Sequence, residues 1–207
     1  VKSGGITATG TPPTLPTDWK LINGYLVGPG ADLTNADLTN ADLTNADLTN
    51  ADLTGATLTG VTSGGITATG TPPTLPTDWK LINGYLVGPG ADLASATLTG
   101  ATLTGATLTG ATLTSADLTG ADLTSAILPD AVLTDAILTN ATLAYAQLRG
   151  VNLTDAVLTN ADLTGASLFE ATLSNANLTG ANLFTADLQH ANLLGATLIG
   201  ATLTDAP

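Results

Sequence analysis

A strict period of five residues governs most of this chain. From Ala31 to Gly60 and again from Ala91 to Asp205, the sequence divides into pentapeptides, 29 in all, and each has Leu as its third residue. The first residue is Ala in every pentapeptide except the one that begins with Val151. A helix would spread such Leu residues around its whole circumference, and a long strand would send them alternately to both faces. The period therefore fits neither an α-helix nor a long strand.

A short extended segment followed by a corner does satisfy a period of five. In such a segment the first and third residues both point inward, and the residues before and after Leu point outward. The fifth position is often Gly, Asn or Asp, and these residues serve at bends because they tolerate unusual φ and ψ angles. The pattern predicts short extended segments joined at corners around an interior of Leu and Ala.

The pentapeptides resemble those of the pentapeptide-repeat family, whose motif is A(D/N)LXX. ADLTN stands four times in succession from Ala31, followed by ADLTG and ATLTG. The resemblance implies an all-β fold, a right-handed quadrilateral β-helix with four pentapeptides in each coil. Successive coils would then lie about 4.8 Å apart, as paired strands do.

The chain also contains a long internal duplication. Residues 1–33 and 61–93 are identical except that Lys2 is replaced by Thr62. Each copy opens with a stretch outside the repeat, in which Asn-Gly separates two apolar runs, a pattern typical of a β-hairpin with a type I′ turn. Because the offset between the copies equals twelve pentapeptides, or three whole coils, we expect the duplication to preserve the register of the solenoid.

These boundaries predict four segments, in which hairpins cap the exposed ends of two solenoid blocks. They are an N-terminal cap at 1–30, a short repeat block at 31–60, a duplicated cap at 61–90 and the main β-helix at 91–207. An alternative interpretation is that each cap is a degenerate stretch of solenoid, since Val61 and Ile66 keep the inward phase. The short block is too small to be stable alone and must dock on its cap, the second solenoid or another chain.

Composition narrows the classes of function. The net charge of −13 on 207 residues argues against a direct nucleic-acid partner or an anionic membrane, because both would repel the chain. No apolar run approaches the roughly 18 residues of a transmembrane helix. There is one His, one Glu and no Cys, and the Asp residues at second positions belong to the repeat. We expect no catalytic residue, no cofactor and no metal site, and hence no enzyme activity.

Departures from the repeat mark candidate sites. With four pentapeptides per coil, the Arg, His and Glu of the second block gather on one edge with most of its aromatic side chains, a composition typical of protein interfaces. This candidate interaction edge comprises Tyr145, Arg149, Phe169, Glu170, Phe184, Gln189 and His190. Leu194 and Ile199 occupy outward positions in the last coil. Together with the uncapped end of the repeat, they predict self-association through the C-terminal end.

The functional hypothesis is a non-catalytic structural or protein-interaction solenoid. The alternative is an acidic mimic of DNA that binds DNA gyrase or topoisomerase IV, as the family resemblance allows. The lack of a C-terminal cap and the concentration of Asp residues between Asp32 and Asp52 count against it. The chain begins at Val1 and contains no Met, which suggests a fragment or a processed form. The sequence does not specify a compartment.

Overall fold

A computed structural model describes residues 2–7 and 14–206. The chain forms two compact units, Val1–Leu86 and Val87–Pro207. Two short hairpins supply the named strands: β1 (Lys20–Ile22) pairs with β2 (Tyr25–Val27), and β3 (Lys80–Ile82) pairs with β4 (Tyr85–Val87).

Both predicted hairpins form, each closed by an Asn-Gly turn. Asn23 and Gly24 have φ values of 48° and 80°, and Asn83 and Gly84 have 50° and 79°. Positive φ at both central residues is the mark of a type I′ turn, whose twist matches that of the flanking strands. In the first hairpin Ile22 pairs with Tyr25 next to the turn.

The second unit is a solenoid built from parallel bridges between positions four pentapeptides apart. The bridges run from Asp92–Thr112 to Asn182–Thr202 and join second positions of successive coils. Each coil hydrogen-bonds to the next: the N–H of Leu143 donates to the carbonyl oxygen of Asp162 at 2.6 Å, and the N–H of Asp162 donates to that of Ala141 at 2.9 Å. The predicted fold, a right-handed quadrilateral β-helix with four pentapeptides per coil, is confirmed.

Every corner has the same backbone conformation. At the fifth position of each pentapeptide φ lies between 55° and 75°, in the left-handed region. Gly, Asn and Asp reach this region at least cost, which accounts for their frequency there. Other residue types at this position adopt the same conformation, and Thr185 and Tyr145, for example, have φ of 55° and 58°. The shape of the solenoid therefore dictates the backbone even where the residue is unsuited to it.

The core of the second unit is the predicted pair of Leu and Ala columns. Leu and Ala at inward positions are buried from Ala91 to Ala186. Burial declines in the last coil, where Leu193 and Leu198 are less enclosed and Leu203 is 42% exposed. The inner column thus meets solvent at this end of the second unit.

The first unit contains the short repeat block and the beginning of the second copy of the duplicated segment. Residues 31–50 form a coil, and Asp52, Thr57, Thr62 and Thr67 bridge back to it. The core of this unit runs from Val27 to Ile66 and includes Leu86. Aromatic and aliphatic side chains of both hairpin segments pack against it: Trp19, Ile22, Tyr25, Leu75, Trp79 and Leu81.

The expectation that the duplication preserves register is wrong. Lys2, Asp32, Asp52 and Thr74 follow one another in a single column of bridges. Thr62, which is equivalent to Lys2, instead pairs with Asp42 in a column two faces further round. The reason is that the coil from Lys2 to Asp32 is longer than four pentapeptides, because the hairpin loops out of the stack.

Candidate functional site: a charged and aromatic edge

The stacking of coils brings distant positions of the sequence together on one edge. Arg149, Phe169 and Gln189 occupy fourth positions of successive coils, and Glu170 and His190 occupy the corners that follow. The fourth and fifth residues of a pentapeptide do not belong to the inward pair, so their side chains project away from the core. The prediction that these residues share an edge depends on this stacking, which the bridges Gln147–Ser167 and Ser167–Asp187 establish beside them.

Four of the predicted residues contact one another. The guanidinium group of Arg149 donates to Oε2 of Glu170 at 3.1 Å, and its central carbon lies 5.6 Å from the centre of the Phe169 ring. The Phe169 and His190 rings meet edge to face, with centres 5.3 Å apart and planes at 88°. The contacts form a chain that crosses three coils. We call Arg149, Phe169, Glu170 and His190 the edge cluster.

The other three predicted residues lie apart from this chain of contacts. Tyr145 is 64% exposed, and its ring covers Gly165, where an added Cβ would lie 2.7 Å from the ring. Phe184 is 41% exposed, and Gln189 is exposed. Within residues 2–7 and 14–206, no hydrogen bond, ion pair or ring contact joins their side chains to the edge cluster.

The ion pair of the edge cluster lies in solvent. The side chains of Arg149 and Glu170 are 65% and 49% exposed. Exposed pairs of this kind contribute about 0–1 kcal/mol to folding, because water screens the charges and the side chains lose entropy. The ion pair therefore contributes little to the stability of the solenoid.

The Asp residues at second positions have a structural role. One carboxylate oxygen accepts the backbone N–H two residues further on, as Asp117 does from Thr119 at 2.9 Å. The other oxygen of Asp117 accepts the hydroxyl of Thr99 from the preceding coil at 2.9 Å. Hydrogen bonds from the Thr119 hydroxyl, the Thr119 N–H and the Thr99 hydroxyl hold the pKa of Asp117 below its ordinary value of 3.8. Sequence reasoning missed this bond, although the recurrence of Asp or Asn two residues before Thr is its signal.

The carboxylates do not form a continuous row. The Asp residues at second positions of the first coil, Asp32, Asp37, Asp42 and Asp47, are distributed over its four faces. Asp52 stacks on Asp32, whereas bridges at second positions in the second unit join each Asp to a different residue type, such as Ile137 beside Asp117. Negative charge therefore surrounds the first coil, and in the second unit it does not follow one face along the axis.

An apolar cavity of about 250 Å³ lies at the first hairpin, lined by Leu15, Pro16, Trp19 and Leu26. The four lining residues lie close together in sequence, between positions 15 and 26, but no pattern in the sequence indicates that they enclose a cavity. Nowhere in the described part of the chain do three or more His, Asp or Glu side chains lie close enough together to hold a metal ion. Nor does any helix there have the length and apolar character needed to cross a membrane.

Comparison with known proteins agrees with this architecture. A family model described as pentapeptide repeats matches in eight copies, over residues 30–62, 90–124, 116–155, 146–183 and 181–206. These matches cover more than half of the chain. The fold is thus that of a repeat solenoid, and the chain belongs to the pentapeptide-repeat family. No curated protein matches the chain.

Several solved structures are similar. HetL from the cyanobacterium Nostoc sp. strain PCC 7120, a pentapeptide repeat protein involved in heterocyst differentiation regulation, is 32% identical; the match covers 83% of this chain and 86% of HetL, with a TM-score of 0.32. A pentapeptide repeat protein of the cyanobacterium Cyanothece 51142 is 38% identical over 47% of this chain and 63% of its own, with a TM-score of 0.25. QnrB1, a plasmid-mediated fluoroquinolone resistance protein, is 16% identical over 84% of this chain and 89% of its own, with a TM-score of 0.23. The family assignment rests on the repeat matches.

Proposed function

We propose that this protein is a non-catalytic solenoid that binds a protein partner through the edge cluster. The observation that carries the proposal is the chain of contacts from Arg149 through Phe169 to His190, which brings charged and aromatic side chains of three coils together on one edge. Arg and aromatic residues are enriched where protein interfaces concentrate their binding energy. The exposed ion pair of the cluster adds little to folding, so stability does not explain the presence of Arg149 and Glu170.

The absence of catalysis is part of the proposal. His190 contacts an aromatic ring, and Asp residues such as Asp117 accept hydrogen bonds from the repeat itself. His190 is thus part of an exposed surface, and Asp117 is part of the hydrogen bonding of the repeat. They do not form an acid–base pair around a cavity. Self-association through Leu194 and Ile199 belongs to the same class of function and involves a different surface.

The partner can be identified by site-specific crosslinking. A photoreactive residue at Gln189, beside the edge cluster, should give a covalent adduct in an extract of the source organism. The matched control is the same residue at Thr109, which lies in the same row of fourth positions but away from the cluster. We expect the adduct from Gln189 only, and we expect Phe169→Ala to abolish it.

The purified partner then provides the quantitative test. Loss of the Phe169 ring should weaken its binding about tenfold or more, as at a hot spot. Equal crosslinking from Gln189 and Thr109, or an adduct unaffected by Phe169→Ala, would refute binding through the edge cluster.

The acidic DNA mimic has less support. A mimic requires carboxylates that follow the axis as phosphates do, whereas the Asp residues of the first coil are distributed over its four faces and the bridges described in the second unit pair each Asp with a different residue type. A supercoiling assay with gyrase and topoisomerase IV separates the two functions. Inhibition that weakens with salt and survives Phe169→Ala would favour the mimic over the proposal.

A further inference from the structure

One face of the second unit lies between the edge cluster and the corner that carries Tyr145. Its outward second positions on four successive coils, which parallel bridges join in one column, are Ile127, Gln147, Ser167 and Asp187. Arg149 and Phe169 of the edge cluster occupy fourth positions of the same face, so the cluster forms one of its two borders. We call this surface, from Ile127 to Asp187, the mixed face, because it combines apolar, amide, hydroxyl and carboxylate side chains.

The outward residues of the mixed face already have paired backbone groups. The N–H of Ser167 donates to the carbonyl oxygen of Ala146 at 2.9 Å, and its own carbonyl oxygen accepts the N–H of Leu148 at 2.8 Å. Both backbone groups of Gln147 are paired with the preceding coil in the same way. A partner that adds a strand needs a free sheet edge, and this face does not supply one. A partner of the mixed face must therefore bind through side chains.

The dimensions of the mixed face match those of an α-helix that lies along the solenoid axis. Successive coils are about 4.8 Å apart, like paired strands, and an α-helix rises about 5.4 Å per turn, so each turn of the helix would meet one coil. The extended residues between two corners span about 10 Å, which is close to the diameter of a helix with its side chains. Ile127 and Asp187 are three coil steps apart, or about 14 Å, which corresponds to about 10 helical residues.

Aromatic side chains border the mixed face on both sides. At one corner Tyr145 is 64% exposed, with its ring over Gly165 of the next coil. On the other side Phe169 is half-buried in the edge cluster. Ser167, at the second position between the two borders, is smaller than either ring. An apolar stripe on a helix that lies along the axis would contact both rings, and aromatic rings of this kind contribute much of the binding energy of protein interfaces.

The carboxylates at the mixed face favour a basic partner. Among the residues that the structure describes, Arg149 and Glu170 form the single ion pair. The carboxylates of Asp130 and Asp187 therefore have no cationic side chain bound to them, although one oxygen of Asp187 accepts the N–H of Gln189 at 3.0 Å. With a net charge of −13 on the whole chain, these groups attract Lys and Arg side chains.

We propose that the mixed face binds a basic amphipathic α-helix of the partner protein, which lies along the solenoid axis. The apolar stripe of the helix contacts Tyr145 and Phe169, and its Lys or Arg side chains pair with Asp130 and Asp187. This inference rests on the proposed function, because it describes the segment of the partner that reaches the edge cluster.

Two photoreactive residues measure the conformation of the bound segment. Pro129 and Gln189 lie in one row of fourth positions three coils apart, and a photoreactive residue at either should form an adduct with the partner in the extract. Mass spectrometry should locate the two modified partner residues about 10 positions apart in one segment, since a helix advances about 1.5 Å per residue. An extended segment would place them about 4 positions apart, at about 3.4 Å per residue.

Three results of this crosslinking would overturn the helix while binding through the edge cluster remained. They are a spacing of about 4 positions, adducts in separate segments of the partner, and an adduct from Gln189 without one from Pro129. Absence of any adduct from Gln189 would instead remove the proposed function and this inference together.

A synthetic peptide that contains both modified residues then tests the helix and its charge. Fluorescence anisotropy should show that it binds this chain. Pro at a central position outside the apolar stripe should weaken binding about tenfold or more, because Pro breaks a helix, whereas Ala at the same position should not. Asp187→Asn keeps the acceptor for the N–H of Gln189, and it should weaken binding up to about fivefold and reduce its dependence on salt.

Asp117→Asn is the matched control, since Asp117 occupies a second position on another face, and it should change neither the affinity nor its dependence on salt. Failure of the peptide to bind, equal binding of the Pro peptide, or binding that does not weaken with salt would refute the proposal.

Discussion

One column of leucines provides a direct test of how the solenoid is stabilised. Leu163 and Leu203 occupy the same position of the repeat two coils apart, on one face, but Leu163 is 0% exposed and Leu203 is 42% exposed. Replacement of either by Ala removes the same atoms. The two substitutions therefore differ only in how far neighbouring coils enclose the side chain.

The burial of each side chain sets the expected magnitude. Leu163→Ala removes a fully buried side chain and leaves a closed cavity between two coils, so the free energy of unfolding should fall by about 3–5 kcal/mol. Leu203 has about half the burial and no coil beyond it in the described structure, so the cavity term vanishes and the loss should be roughly 1 kcal/mol. We expect a difference of about 2–4 kcal/mol between the variants.

Urea unfolding followed by far-ultraviolet circular dichroism measures both changes. Protein should be dilute enough to keep the chain monomeric, and the dependence on urea should be the same for both variants if the denatured states match. Equal losses from Leu163→Ala and Leu203→Ala would refute the reasoning, because the end of the column would then be as enclosed as its middle. The description of solenoid stability as a sum of contributions from each coil and its neighbours would then also be wrong.

Three further predictions concern the corners of the solenoid, the hydrogen bonds of Asp117 and the edge cluster. Thr185→Gly should raise the free energy of unfolding by about 0.5–1 kcal/mol, because the relief of a positive φ at Thr185 exceeds the entropy cost of Gly. Asn160→Gly should change the free energy of unfolding little, because Asn tolerates a positive φ. Thermal unfolding of both variants measures these changes. The pKa of Asp117 is lowered by folding, so its stabilisation is complete above the ordinary value of 3.8 and is lost as pH falls through the lower folded value. Asp117→Asn keeps the acceptor for Thr119 without titrating, so its urea midpoint should fall less between neutral pH and about pH 3, and an unchanged pH dependence would contradict this. Glu170→Gln removes an exposed ion pair and should change the free energy of unfolding by less than about 0.5 kcal/mol, measured in the same way.

The interior and the corners could be predicted from the repeat because one physical constraint acts at every pentapeptide. An inward pair two residues apart fixes which side chains are buried, and the corner requires a positive φ whatever residue is present. The same spacing predicted that Arg149, Phe169 and Glu170 would share an edge. That Tyr145 instead lies over Gly165 could not be predicted, because the direction of an outward side chain at a corner depends on its rotamer and not on the period.

The surroundings of the two duplicated segments could not be predicted either. The residues that line the cavity at Leu26 are identical to those around Leu86, so local sequence cannot distinguish an open surface from a covered one. The coil that precedes Thr62 makes the difference. The prediction that the duplication preserves the register of the coils was also wrong. The hairpin loops out of the coil, so its residues must be left out when the pentapeptides of that coil are counted, and the sequence does not give its boundaries.

The half-turn between Lys2 and Thr62 has a consequence for how such a chain grows. Within the first unit, the duplication acts as a twofold screw operation: it advances the chain along the axis and turns it by two faces. The Asn23–Gly24 and Asn83–Gly84 turns therefore leave the axis in opposite directions. Unequal recombination that added further copies would place new hairpins alternately on the two sides, so hairpins on the same side would recur at every second copy.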